Sequence, residues 1–421
     1  MRTVRAWLTE TAGGLPRAFW HLWTVTLINR LGSFAQIYMT LYLAISRQLP
    51  LSTVGVMVSL SGVGAILGNQ ISGVLTDRWG RRRMLLASHI LTFVTLVALI
   101  FFTSTVSIAI LMALSAAARE AARPAFTSMI TDIVPAAERV RAFNLNYWAI
   151  NVGFSGAALL AGLAAAVDFR LNFGINAAAV AAAIAVIAWK LPESRPALAP
   201  GGAEGARPRG SLRVIARDRV FLAFVGLSFL PAFMQTSLFG LLPLQTHAVG
   251  VSETQYGVVI AVNGVVIVIG QLFIPKLVKG RRHTRVLILA SMFWTVGVAV
   301  TGMVSSMALF MAAVVVWTLG EMLQTPAQMA TIAELSPVDM RGRYQATFAL
   351  SFQASMLIVP ALGGFALQYL GSTWWFLVAG IGVLAAVGNL LAEPSRERRL
   401  AAAREPEPVR GDAAELEPAA A

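Results

Sequence analysis

Five charged side chains lie within long apolar stretches of the sequence and away from their ends, and these are the residues most able to do chemistry there. They are Arg30, Arg119, Glu120, Arg123 and Glu321. Arginine does not titrate, so the two glutamates are the members of this set that can take up and release a proton. Desolvation favours the neutral form of a carboxyl group, and a nearby arginine favours its charged form. A glutamate whose arginine partner comes and goes would therefore act as a proton switch.

Uncharged polar side chains in the same stretches could line a cavity around these charges. We select Asn29, Gln235 and Gln324 for this role. A structural interpretation of the charges remains open, because buried cations and anions also form static ion pairs that hold helices together. It applies to Arg119 and Glu321, and it is the simpler interpretation for Arg123, which lies within one helical turn of Glu120.

The stretches that carry these residues are too long and too apolar for a water-soluble core. Hydrophobic residues make up 57% of the 421-residue chain and charged residues 13%, whereas soluble domains carry about 25% charged residues. A helix of about 20 apolar residues spans the hydrocarbon core of a bilayer. The sequence therefore predicts an all-α membrane protein with twelve transmembrane helices. The apolar segments cover 19–46, 53–76, 84–103, 107–130, 142–166, 169–190, 220–247, 254–278, 286–304, 308–333, 344–370 and 372–392.

The segments fall into two sets of six, separated by a stretch rich in proline, glycine and arginine that is typical of a linker. The tail is biased toward alanine, glutamate, proline and arginine, which predicts disorder. The predicted division is an N-terminus at 1–18, a six-helix bundle at 19–190, a linker at 191–219, a second six-helix bundle at 220–392 and a disordered tail at 393–421.

The distribution of lysine and arginine predicts the orientation of the chain, since cytoplasmic loops collect these residues. With the N-terminus inside, the outside loops hold only Arg47 and Arg170 of the 33 basic residues. Three more lie within helices, and the remaining 28 fall inside. We therefore expect a multi-pass protein of the cytoplasmic membrane whose N-terminus, linker and C-terminus are all cytoplasmic. The net charge of +13 is explained by this orientation and needs no nucleic-acid partner.

An internal repeat relates the two bundles. When the chain is shifted by 202 residues without gaps, prolines, glycines and charged residues coincide at matching places. Arg119 then coincides with Glu321, a cation with an anion. The coinciding pairs include Gly55 with Gly257, Gly62 with Gly264, Gly68 with Gly270, Pro124 with Pro326, Asp132 with Glu334 and Arg139 with Arg341. Because six is an even number, the two bundles have parallel topology and are related by an axis along the membrane normal.

The loop between the second and third segments reads "GVLTDRWGRRRMLL" from Gly73 to Leu86. It resembles the signature loop of the major facilitator superfamily, which follows G-x-L-x-D-R-x-G-R-[RK]. The matching residues are Gly73, Leu75, Asp77, Arg78, Gly80, Arg81 and Arg82. With twelve segments, a long central linker and the repeat, the resemblance covers nearly the whole chain except the tail. It implies the major facilitator fold and transport of a small molecule by alternating access.

The same resemblance assigns roles to the residues selected above. In this superfamily the central cavity is lined by the first, fourth, seventh and tenth helices, and the five buried charges lie on three of these. The signature loop is thought to latch the two halves together on the cytoplasmic side, which would make Asp77 a gating residue. A simpler interpretation limits the loop to fixing topology and turning the chain.

The sequence from the end of the fourth segment through the fifth indicates the subclass of transporter. The stretch "ARPAFTSMITDIVPAAERVRAFNL" resembles the bacterial drug–proton antiporter branch. The antiporter motif G-x-x-x-G-P-x-x-G-G is kept only in part, because Ala157-Ala158 replaces Gly-Pro between Gly153 and Gly162. The equivalent stretch of the eleventh segment retains Pro360, Gly363 and Gly364. Close packing of small residues between helices explains both stretches equally well.

The resemblance predicts a secondary transporter that exports a drug-like or metabolite-like small molecule, with protons as the coupling ion. One alternative is an organic-anion or nutrient transporter, because the three buried arginines outnumber the two buried glutamates and leave an excess of positive charge. Another is a membrane scaffold or receptor that transports nothing. No nucleotide-binding loop, metal-ligand cluster or nucleophile–base pair is found in the sequence, which predicts a non-enzyme without cofactor. We expect a monomer whose partners are a small molecule, protons and the lipid bilayer.

Overall fold

The helices of this computed structural model follow the predicted segments closely. The structure describes residues 13–194, 212–271, 273–278, 280–304, 306–337 and 340–404. We number the helices α1 (Arg17–Leu31 and Phe34–Leu41), α2 (Leu51–Trp79), α3 (Arg81–Phe101), α4 (Thr105–Ile133), α5 (Arg139–Val167), α6 (Phe169–Lys190), α7 (Arg219–Ala248), α8 (Glu253–Gly270), α9 (His283–Met303), α10 (Met307–Leu335), α11 (Arg341–Leu370) and α12 (Thr373–Arg404). Short helices at Leu212–Arg217 and Ile274–Val278 precede α7 and follow α8.

Eleven helices in the described part of the chain are long and apolar enough to cross a membrane. The twelfth span is α1, whose two pieces are separated at Gly32 and Ser33. The break is local, because the Ser33 hydroxyl donates to the carbonyl of Arg30 at 2.6 Å and Gly32 packs against Ala179 of α6. The chain is thus an all-helical, multi-pass membrane protein, as the sequence predicts.

Two predicted boundaries are wrong. The disordered tail was expected from residue 393, but α12 continues to Arg404 because side chains beyond the boundary pack against the second bundle. Arg396 is buried, donates to Asn389 and lies over the ring of Phe224. The eighth segment was expected to run to residue 278, but α8 ends at Gly270 and a separate turn follows. Residues 1–12, 195–211 and 405–421 lie outside the described part, so the N-terminus and linker are tested only at their edges.

The two six-helix halves pack against each other near one end of the molecule. We call the end that bears the Gly73–Leu86 loop the basic end and the other the opposite end. Near the opposite end, α2 packs on α11 and α5 on α8, and one hydrophobic cluster contains residues of both halves. Toward the basic end the cores are separate: one cluster contains only first-half residues and another only second-half residues.

The glycines of the 202-residue repeat explain the contact between halves. Gly55 and Gly62 let α2 approach the backbone of α11, and Gly257 and Gly264 let α8 approach α5. A Cβ atom at Gly62 would lie 2.8 Å from the Met356 carbonyl oxygen, so a larger residue would push the helices apart. Further along α2, Gly73 is exposed and meets nothing within 4 Å. The halves therefore diverge toward the basic end and leave a central cavity open on that side.

Candidate substrate cavity

The charged side chains of the first half form one group on α1 and α4. Glu120 lies between two arginines, 3.9 Å from Arg119 Nε and 3.9 Å from Arg123. Both separations exceed a hydrogen-bond length, so these ion pairs are loose. The Arg119 side chain is 39% exposed and that of Arg123 77% exposed. Two cations of α4 are thus accessible, and the single carboxylate is shared between them.

Arg30 adds a third cation beside this group. It lies in the last turn before the break in α1, close enough for the charges of Arg119, Glu120 and Arg123 to act on it. Gly153 of α5 permits this placement, because a Cβ there would lie 2.6 Å from the Arg30 Cβ. Among the described residues, the Arg30 guanidinium has no hydrogen-bond or ion-pair partner. An arginine at the centre of a membrane helix costs about 2.5–3.5 kcal/mol, whereas the helix C-terminus returns only about 0.3–1 kcal/mol.

Glu321 lies in the second half, and neutral amides hold it. Gln235 of α7 donates to one carboxylate oxygen at 2.9 Å, and Asn263 of α8 donates to the other at 3.2 Å. Asn263 also donates to the Thr318 hydroxyl at 2.9 Å, which fixes its amide. The predicted arginine partner of Glu321 is not found in the part of the chain that the structure describes.

Asn263 was missed by sequence reasoning although it leaves a signal. It is an amide within the apolar run "VVIAVNGVVIVIG", next to the repeat position Gly264. Gln235 was selected and does contact Glu321. Tyr147 of α5 lies near enough to Glu321 for the charge of the carboxylate to act on it. Residues from α5, α7, α8 and α10 therefore surround this one ionisable group.

Two of the selected amides, Asn29 and Gln324, have neighbours within their own half of the molecule in this conformation, and their role in the cavity stays a prediction. Asn29 Nδ2 lies 2.9 Å from Nε2 of the buried His89 on α3. The other ring nitrogen of His89 lies 2.7 Å from the Leu85 carbonyl, so His89 donates there and accepts from Asn29. Gln324 lies inside the second half, in a small cavity lined by α7, α9, α10 and α12, and its Oε1 atom has no hydrogen-bond partner.

The signature loop turns at Gly80, whose backbone conformation requires glycine. Its φ of +97° is unfavourable for other residues, and a Cβ there would meet the Glu193 carboxylate. Glu193 accepts a hydrogen bond from the Arg81 amide at 2.8 Å and so caps the start of α3. The Asp77 side chain is 77% exposed, with Arg81 3.7 Å away. The predicted latch between halves is therefore not engaged in this conformation.

The loop arginines with described geometry tie the first half together. Arg81 donates to Asp132 of α4 at 3.0 Å, and Arg82 donates to the carbonyls of Ile187 and Ala188 at the end of α6. Arg78 also has a partner. At the repeat-equivalent place, His283 lies 3.2 Å from Glu334. The pair of a basic and an acidic side chain thus occurs at the equivalent place in both halves. In the first half the basic residue is an arginine, whereas the histidine of the second half carries a charge only when it is protonated.

The small-residue motifs of α5 and α11 lie in contacts between helices. Gly162 packs against the start of α8, and its carbonyl accepts from Thr254 at 3.4 Å. Pro360 and Gly364 lie against Gly55 of α2, and Gly363 packs on Leu241 and Trp374 within the second half. Gly153 contacts α1 rather than the other half. These positions serve close packing, in agreement with the simpler of the two interpretations above.

No group of three potential metal ligands occurs among the described residues. The ionisable side chains of the cavity are three arginines and one glutamate on the first half, and one glutamate bound by amides on the second half.

Comparison with known proteins indicates the family to which the chain is similar. The sequence profile of the Major Facilitator Superfamily matches residues 22–248 and again residues 228–418. The uncharacterized MFS-type transporter YttB of Bacillus subtilis (strain 168) is 24% identical over 366 residues, which cover 85% of this chain and 90% of the relative. A Na(+), Li(+), K(+)/H(+) antiporter of Planococcus maritimus is 24% identical over 389 residues, covering 83% of this chain and 89% of the relative.

Solved structures of transporters share the fold. The nucleoside transporter NupG superposes with a TM-score of 0.77 at 14% identity, over 90% of this chain and 99% of that one. The peptide transporter POT in complex with sulfate gives a TM-score of 0.75 at 16% identity, over 92% of this chain and 96% of that one. These relatives and neighbours are transporters, which agrees with the prediction of a non-enzyme.

Proposed function

Because the chain belongs to the Major Facilitator Superfamily, we propose that it is a proton-coupled secondary transporter that exports a small molecule across the cytoplasmic membrane. The observation that carries this proposal is Glu321. A carboxyl group held by two neutral amides in the middle of a membrane protein has a stable protonated form as well as a stable ionised form. The arginines of the other half would favour the ionised form if they came closer.

Alternating access supplies the movement that coupling needs. The positive-inside rule places the basic end in the cytoplasm, so the conformation described above is open to the inside. The signature loop and the basic ends of α2 and α11 would then come together when the transporter opens outward. Movement of one half against the other changes the distance between Glu321 and the arginines, and with it the affinity of Glu321 for a proton.

The cycle follows from these two states. Facing the outside, Glu321 takes a proton from the more acidic medium. After the halves rock back, Glu321 opens to the less acidic cytoplasm and releases the proton there. The substrate moves in the opposite direction on the next half of the cycle, so that inward proton flow drives export.

The experiment is a proton-flux assay in inverted membrane vesicles. A growth screen in a host that lacks its own exporters first identifies a compound against which the protein protects. Addition of that compound to vesicles with an imposed pH gradient should dissipate the gradient with wild-type protein. The Glu321→Gln variant should fail to do so. Glu334→Gln is the matched control, since it makes the same change on the same helix but outside the cavity.

Each outcome of this assay is informative. Loss of coupling in Glu321→Gln with coupling retained in Glu334→Gln supports the proposal. Wild-type coupling in Glu321→Gln would remove Glu321 from the role and leave Glu120 as the remaining candidate. Dissipation by Na⁺, Li⁺ or K⁺ instead of an organic compound would make the protein a monovalent-cation antiporter like its Planococcus relative. Absence of flux in a correctly inserted protein would favour the scaffold alternative.

A further inference from the structure

The charge balance of the central cavity narrows the class of substrate. Three arginines and one glutamate stand on the first half, and their ion pairs are loose at 3.9 Å. The Arg30 guanidinium has no hydrogen-bond or ion-pair partner within the described residues. A cation inside a membrane protein is ordinarily paired or faces a ligand pathway. The first-half wall of the cavity therefore lacks an anion.

Glu321 does not supply this missing anion. Its two carboxylate oxygens are engaged by Gln235 and Asn263, both in the second half. It also stands across the opening between the halves in this cytoplasm-facing conformation. A ligand group that is negatively charged would instead fit the arginine side, where a carboxylate, sulfonate or phosphate oxygen pair matches the planar guanidinium.

Aromatic side chains adjoin the charged layer toward the opposite end. Phe154 of α5 follows Gly153, which contacts Arg30, and its ring lies 6.2 Å from that of Phe239 on α7. Phe239 lies one turn beyond Gln235, and its ring is 5.6 Å from Trp317, one turn from Glu321 on α10. Both phenylalanines are only partly buried. An apolar ring of a bound molecule would lie against these side chains.

We infer that the transported molecule is an amphipathic organic anion whose charged group binds at Arg30, Arg119 and Arg123 and whose apolar body lies against the aromatic layer. This inference rests on the proposed function only in taking the cavity as the binding site. It is independent of whether Glu321 carries the proton. The anion offsets part of the excess positive charge of the first half, and its binding gives the two halves a common ligand.

The test uses three probes with the same body and different charge: 4-phenylbutyrate, 4-phenylbutylamine and 4-phenylbutanol. Thermal unfolding of the purified protein is followed by the fluorescence of its 10 tryptophans. At millimolar concentration the carboxylate should stabilise the wild-type protein, and the amine should not. Arg30→Gln and Arg119→Gln should each weaken the apparent affinity for phenylbutyrate by about tenfold or more, as expected when one member of a desolvated charge pair is removed.

Two controls separate this inference from its alternatives. Arg83→Gln removes an exposed arginine at the start of α3 and should bind phenylbutyrate like the wild type. Glu321→Gln should also retain phenylbutyrate binding even where proton coupling is lost, so that the two proposals fail separately. The comparison of the three probes on the wild-type protein needs no variant and stands if an arginine variant does not fold.

Three results would overturn the inference. One is stabilisation by the amine equal to or greater than that by the carboxylate. Another is unchanged affinity for phenylbutyrate in both Arg30→Gln and Arg119→Gln. The last is the absence of stabilisation by phenylbutyrate and by two further aromatic anions, 2-naphthalenesulfonate and phenyl phosphate.

Discussion

At the scale of single residues, Asp77 contributes little to the conformation described here. Its side chain is 77% exposed, and its ion pair with Arg81 spans 3.7 Å at the surface. Such a pair contributes at most about 1 kcal/mol. Topology requires the arginines of the loop but no acidic residue. An interaction made only when the basic ends meet would explain why a carboxylate is present.

We therefore expect Asp77→Asn to leave the fold intact and to slow transport. The thermal midpoint of the purified variant should equal that of the wild type, because the Asp77 side chain is mostly exposed in this conformation. The initial rate of transport should fall by about tenfold, which corresponds to about 1.4 kcal/mol. Equal transport rates at equal expression would show that the loop only fixes topology.

The two glycines of the loop should respond differently to the same substitution. Gly80 has a φ of +97°, and a Cβ there would meet the Glu193 carboxylate. We expect Gly80→Ala to lower the free energy of unfolding by about 1–3 kcal/mol. Gly73 is helical with nothing within 4 Å, so Gly73→Ala should not lower it. Thermal unfolding of the two variants side by side checks this, and equal midpoints would contradict it.

At the scale of helices, the extension of α12 clamps the basic end of the second half. Arg399 donates to Asp218, the N-cap of α7, and to the Leu335 carbonyl at the end of α10. The Tyr344 hydroxyl of α11 donates to Asp218 at 2.8 Å. Three helices thus meet at one carboxylate, and Arg399 joins α10 to them. The extension is a structural element of the bundle, although its charged composition predicts a disordered tail.

This carboxylate should make stability depend on pH. Burial alone would raise the pKa of Asp218, but hydrogen bonds from Arg399, the Phe221 amide and Tyr344 outweigh it and lower the pKa below its usual value. The ionised form therefore stabilises the folded state, fully so at neutral pH. This contribution is lost as the pH falls through the unfolded-state pKa toward the lower folded-state pKa, because the unfolded chain takes up the proton first.

We expect Asp218→Asn to lower the thermal midpoint at pH 7 and to reduce its further loss on acidification. Asparagine is also a good helix N-cap, so the substitution removes the charge and not the cap. Asp168→Asn is the matched control, since Asp168 caps α6 from an exposed position. Parallel melting curves from pH 7 down to about pH 3.5 decide the question. An unchanged pH dependence in Asp218→Asn would assign the acid sensitivity to other groups.

The elements were predictable from sequence because a span of apolar residues identifies a membrane helix without its neighbours. The helix ends were less predictable. The last helix continues because Arg396 contacts Asn389 and the Phe224 ring, and the local sequence does not reveal these contacts. The same limit applies to the candidate site. Arg30 and Glu321 could be selected by their cost in a membrane, but the rotation that directs Asn29 to His89 depends on packing between helices.

At the scale of the whole molecule, the repeat predicted two halves, but it could not predict which end they would close. In a transporter that works by alternating access, one sequence encodes two states that differ by only a few kcal/mol. In this conformation the seal at the opposite end includes Tyr38, whose hydroxyl donates to the Glu253 carbonyl at 2.8 Å, and Ser59, whose hydroxyl accepts from the Ala361 amide at 3.0 Å. These contacts are made across the halves and must break when the transporter opens outward.

A larger side chain in this seal should shift the population toward the outward-facing state. A Cβ at Gly257 would lie 2.5 Å from the Ala158 carbonyl oxygen of the other half, so Gly257→Val should strain the inward-facing state. A strain of about 2 kcal/mol changes the ratio of the two states by about 30-fold. Gly380→Val is the matched control, because Gly380 is exposed and meets nothing within 4 Å.

The chain has no cysteine, so this shift can be measured with two spin labels on Arg83→Cys and Arg285→Cys. These positions are exposed at the basic end and are equivalent under the 202-residue repeat, one in each half. Closing the basic end brings them together. Distance distributions from electron spin resonance should therefore show a shorter component in Gly257→Val that is minor in the wild type and in Gly380→Val. Identical distributions in all three proteins would mean that the glycine seal does not set the balance between the two states.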